Sequence, residues 1–104
     1  MRGTVGRLLG SSLISLAVTY GGRVIDHYGD EALDYLDLLG IANDYGATLI
    51  LEREDRAVIV REVLGFGIII VARPEALGLG LLSIDKIAAE LGRGDDGAFE
   101  VVLI

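Results

Sequence analysis

The one histidine of the chain, His27, is the first place to look for acid–base chemistry. It stands beside Asp26 at the end of a β-prone run, and neighbouring strand residues point to opposite faces. Asp26 is therefore badly placed to orient His27 as a general base, and the histidine reads as a surface or core-edge residue. Ser11, Ser12, Ser15 and Ser83 lack the strand–turn–helix setting of a nucleophile elbow and read as caps and turn residues. Asp34 and Asp37 could in principle share a proton or hold a hard cation. Together with Asp30 and Asp44 they recur at spacings of three, four and seven, which is the solvated face of a helix. Gly78-Leu79-Gly80 has neither the third glycine of a dinucleotide loop nor the Lys-Ser/Thr of a phosphate loop. Asp95-Asp96-Gly97 is too short for a calcium loop, and Arg93-Gly94-Asp95 is a chance tripeptide in a polar linker. The residues thus predict no catalytic, metal or cofactor site, and a chain that is not an enzyme.

Composition narrows the alternatives. A length of 104 residues suits one domain with a real core and is too short for two. Hydrophobic residues make up 52% of the chain and charged ones only 24%. A domain this small leaves much of its surface exposed, so this apolar surplus points to a second buried surface, and hence a partner. The net charge of -7 and the scattered arginines, several beside acids as in Glu52-Arg53-Glu54-Asp55-Arg56, exclude a nucleic-acid stripe and an anionic membrane surface. Cysteine is absent, so there are no disulfides and no thiolate chemistry. The longest apolar run, Val63 to Ala72, falls well short of the ~20 residues that span a bilayer. Met1-Arg2-Gly3 leads into no cleavage-site pattern, which makes the cytoplasm the expected compartment and direct membrane insertion unexpected.

The elements follow from periodicity. Residues 3–12 read as a short helix or a loop, because Gly3, Gly6 and Gly10 oppose the helical spacing of Val5, Leu8 and Leu9. Leu13 to Tyr20 and Arg23 to Tyr28 are β-prone runs around Gly21-Gly22, a hairpin signal. Asp30 is the expected N-cap of a helix from Glu31 to Tyr45, with Ala32, Tyr35, Leu36, Leu39 and Ala42 on one face. Leu38, Ile41 and Tyr45 widen that face beyond what one contact needs, and Gly46 supplies the stop. Strands are expected over Ala47 to Glu52, Ala57 to Val63 and Phe66 to Ala72. The last does not alternate in polarity, so both its sides should be covered by helices. After Pro74, Glu75 to Gly80 reads as an approach to a second helix, Leu81 to Leu91. A polar linker then leads to a late strand, Ala98 to Ile104.

This order, with Leu49-Ile50-Leu51-Glu52 after the helix and Ile68-Ile69-Ile70-Val71-Ala72-Arg73-Pro74-Glu75-Ala76-Leu77-Gly78-Leu79-Gly80-Leu81-Leu82 towards the end, resembles the Roadblock/LC7 family over about Leu13 to Leu91. The resemblance implies a profilin-like α+β fold, a three-layer α/β/α sandwich around a five-stranded, mainly antiparallel sheet. The whole of 1–104 would form one domain, which departs from the family pattern in its short or absent first helix and its added C-terminal strand. It implies pairing with a second copy or another Roadblock-like protein through the edge strand after the central helix. Leu36, Leu39, Ala42, Thr48, Leu49, Ile50 and Leu51 would form that interface; apart from the resemblance, the acidic stripe of Asp34, Asp37 and Asp44 could serve as a docking face for a basic patch. Family members do no chemistry; they scaffold or regulate, typically as partners of Ras-like small GTPases. The expected function is therefore a dimeric, cofactor-free module serving a small GTPase. The alternatives are a self-assembling structural subunit, which the C-terminal strand would favour, and a sensor of an apolar ligand.

Overall fold

The computed structural model describes residues 13–45 and 48–92. Five strands form one sheet: β1 (Leu13–Tyr20), β2 (Arg23–Tyr28), β3 (Leu49–Glu52), β4 (Ala57–Val63) and β5 (Phe66–Ala72). Their spatial order is β2-β1-β5-β4-β3, and every neighbouring pair is antiparallel. β2 and β3 are the two edges. The sheet is thus fully antiparallel, and β1 reaches across to β5 instead of standing in sequence order.

Two tight turns sit at one end of this sheet. Gly21 and Gly22, with φ of 58° and 82°, make the β1–β2 turn that the paired glycines predicted. Leu64 and Gly65, with φ of 51° and 83°, make the equivalent turn between β4 and β5. Leucine rarely takes this left-handed conformation, which costs about 1–2 kcal/mol. The turns are joined by a hydrogen bond from Gly21 N–H to the Gly65 carbonyl at 3.4 Å.

The side-chain alternation of β5 divides the core in two. Ile68 and Ile70 join Leu16, Val18 and Ile59 beneath Ile84, Ile87 and Ala88 of the long helix Leu77–Gly92 (α2). Ile69 and Val71 join Ala17, Val58 and Val60 on the other face, beneath Ala32 and Ala42. Ala42 belongs to α1 (Leu38–Tyr45), and Ala32 to a 3-10 turn over Glu31–Tyr35. Helical segments therefore cover both faces, as the apolar run of β5 required.

Three boundaries differ from the sequence reading. The helix expected over Glu31 to Tyr45 is split into that 3-10 turn and α1. Ten residues of unbroken α-helix would leave Ala32 and Ala42 about 80° apart around the axis, and the change of winding lets both reach the sheet. Asp30 precedes the 3-10 turn but its side chain makes no capping bond. That task falls to Ser15, whose hydroxyl accepts from Ala32 N–H at 2.9 Å and donates to the Tyr28 carbonyl at 2.8 Å. The second helix begins at Leu77, not Leu81, so Gly78 and Gly80 lie inside it. Gly80 is needed there for close approach, because a Cβ would stand 2.5 Å from Ile59 Cδ1. The third difference is at β3, which starts at Leu49. Residues 3–12, Gly46, Ala47 and the expected strand Ala98 to Ile104 lie outside the described residues.

Candidate functional site

β3 and α1 stand together at one margin of the sheet. β3 pairs with β4 in unbroken register, Leu49 with Val60, Ile50 with Ile59, Leu51 with Val58 and Glu52 with Ala57. Its outer side has no strand among the described residues. Leu49 and Leu51 are half-buried and pack on the α1-side core, while Ile50 points to the opposite face and is 46% exposed. The side chains expected at the interface therefore divide between the two faces of one short strand.

The contribution of α1 also differs from the sequence reading. Ala42 is only 1% exposed and is committed to its own sheet. Leu36 and Leu39 are half-buried against the same core. Ile41, which the sequence showed as widening the apolar face, is 45% exposed, the exposed large apolar side chain of α1 among the described ones.

Thr48, just before β3, is held by a polar chain that the sequence did not reveal. Arg61 of β4 donates from Nε to Thr48 Oγ1 at 2.8 Å and from Nη1 to Asp85 Oδ1 of α2 at 2.5 Å. Both members of the ion pair are largely buried. Removing one partner from such a pair leaves a charge stranded in low dielectric, so the link fixes α2, β4 and the start of β3 relative to one another. At the other end of β3, Arg56 donates from Nε to Glu31 Oε2 at 2.8 Å. That hydrogen bond and the Glu31 charge raise the Arg56 pKa above its ordinary value. The edge strand is thus anchored at both ends.

The remaining candidates are dispersed. Asp34 and Asp37 are exposed around the start of α1, and the Asp44 side chain lies outside the described ones. His27 Nδ1 lies 3.2 Å from the Gly29 carbonyl oxygen. His27 and Asp26 pair with Ala17 and Val18 of β1, and so point to opposite faces. The Ser83 hydroxyl donates to the Leu79 carbonyl within α2. Among the described residues, no group of three or more His, Cys, Asp or Glu could hold a metal, and no helix is long and apolar enough to cross a membrane.

A five-stranded antiparallel sheet of this order, helix-covered on both faces, is the Roadblock/LC7 architecture implied by the resemblance. A Roadblock/LC7 domain from Streptomyces avermitilis superposes with a TM-score of 0.67 at 16% identity, over 90% of this chain and 95% of that one. MglB of Myxococcus xanthus superposes with a TM-score of 0.64 at 18% identity, over 86% of this chain and 89% of its own. No protein-family model and no curated protein matches the sequence.

Proposed function

We propose that the chain is a non-catalytic, dimeric interaction module that regulates or scaffolds a Ras-like small GTPase. The observation that carries the dimer is β3, an edge strand with regular pairing on one side, no strand on its outer side among the described residues, and a half-exposed Ile50. Two copies of β3 related by a two-fold axis would extend the sheet across both protomers, with backbone hydrogen bonds setting the register. Ile41 of α1 and the outer parts of Leu49 and Leu51 would add apolar burial at ~25 cal/mol per Å2, part of which the entropy of association takes back. The fold supports the GTPase reading, since Roadblock/LC7 proteins typically serve such partners. The exposed carboxylates Asp34 and Asp37 would give the surface an acidic character suited to a basic patch.

The test is to immobilise the full chain and capture from a lysate of its source, once with a GTP analogue and once with GDP. Recovery of a small GTPase in one nucleotide state only is the expected result. Recovery of the chain's own kind alone, in both states, would replace regulation with self-assembly.

A further inference from the structure

On the α1 face, the sheet ends in a hollow beside the two tight turns. Cross-strand register puts Val24, Thr19, Gly67 and Glu62 in one row there. Gly67 leaves the middle of the row without a side chain. A Cβ at that position would stand 2.5 Å from Thr19 Oγ1 and 2.7 Å from Leu39 Cδ2. Thr19 and Leu39 thus close over Gly67, and beside them opens a depression of about 430 Å3, walled by Leu36, Leu39 and Gly40 on one side and by turn glycines on the other.

Two polar side chains line this depression. Thr19 is 5% exposed, its hydroxyl makes no hydrogen bond among the described residues, and its oxygen is not a sealed, unpartnered atom, so it opens onto the hollow. Glu62 is half-buried and has no ion pair or hydrogen bond among them. A hydroxyl open to the hollow can accept from a donor placed there, and a carboxylate on its lip gains most from a cation. The lining itself supplies no cationic side chain. The start of α1 contributes at most roughly half a positive charge, and Leu39 N–H already donates to the Leu36 carbonyl at 3.2 Å. The full charge of Glu62 decides the sign.

We propose that this depression receives one basic side chain, arginine or lysine, from a protein partner. The ammonium or guanidinium group would donate to Glu62 and to Thr19 Oγ1, while its methylene stem lies against Leu36 and Leu39. A polypeptide fits better than a free amine because Leu64 at the turn tip and Val24 in the row are exposed apolar residues near the opening. They offer a landing surface for a chain flanking the basic residue. This inference depends on neither dimerisation nor a GTPase.

The experiment is a titration of the 15N-labelled full chain, followed by amide shifts, with four probes. These are blocked Gly-Arg-Gly and Gly-Lys-Gly peptides, the neutral Gly-norleucine-Gly peptide, and agmatine. The expected result is saturable shifts at Thr19, Gly21, Gly22, Gly40 and Gly65 with at least one of the basic peptides. Affinity should fall roughly tenfold or more for the norleucine peptide and for Glu62→Gln, the scale of one charge-assisted hydrogen bond. Gly40→Leu is the second variant. No atom lies within 4 Å of a Cβ built there, so the new side chain should fill the depression and abolish binding while the spectrum stays folded. Equal binding of the norleucine peptide, binding that survives Gly40→Leu, or no shift with either basic peptide at millimolar concentration would overturn the proposal. Agmatine binding as tightly as the peptides would assign the site to a free amine instead, and overturn the protein partner.

Discussion

The two edges of the sheet are built differently. β3 is four residues long, keeps an unbroken register with its neighbour and is tied at both ends, through Thr48 to Arg61 and through the Arg56–Glu31 pair. β2 is longer and its side chains are almost all exposed, but its register with β1 shifts between Val18 and Thr19. It also carries Arg23, Asp26 and His27 along its length. Irregular pairing and charge are the devices by which proteins protect an edge from unwanted strand addition. The comparison teaches that exposure alone does not mark an interface. β2 displays more apolar surface, in Val24, Ile25 and Tyr28, while β3 keeps the unbroken register that pairing requires.

Substitutions at the two edges can break or sharpen this contrast. Ile50→Lys places a charge at the proposed seam. It should weaken self-association by roughly 2–4 kcal/mol, the scale of an interface hot spot, while the unfolding midpoint of the separated chain changes little. Ser15→Ala should cost about 2 kcal/mol of folding stability, because the Ala32 N–H and Tyr28 carbonyl lose their shared partner. Urea unfolding measures the loss, and hydrogen exchange should locate the loosening at the end of β2 and not at β3. Thr48→Val removes the acceptor of Arg61 Nε and should cost about 1 kcal/mol, with faster exchange confined to β3. Smallest of all is Ile25→Lys on β2. It should leave the mass in solution unchanged and stability within about 0.5 kcal/mol.

Much of this architecture is legible in the residues because it rests on local rules. Gly21-Gly22 announces a turn, and the unbroken apolar run of β5 announces cover on both faces. What escaped notice depends on which parts of the chain meet. Ser15 reads as a cap or turn residue, but the segment it caps is fixed only when β1 brings it beneath Ala32, and Gly78 and Gly80 read as a turn until α2 presses onto Ile59. The split at Leu36–Asp37 has a similar origin, since only the sheet requires Ala32 and Ala42 on one side. The strand expected to carry the interface is an edge of the sheet. Ala42, however, turned inward, and Ile50 parted from Leu49 and Leu51, because a four-residue strand must divide its side chains between two faces. The depression beside the two tight turns has no linear signal at all. Thr19, Gly40 and Glu62 come from three separate elements.

The most direct test of strand-edge dimerisation is sedimentation equilibrium of the wild-type chain and Ile50→Lys, side by side at micromolar concentration. The account predicts a wild-type mass of twice the 11.0 kDa chain and a single-chain mass for the variant. A monomeric wild type, or an Ile50→Lys protein that remains a dimer, would contradict it.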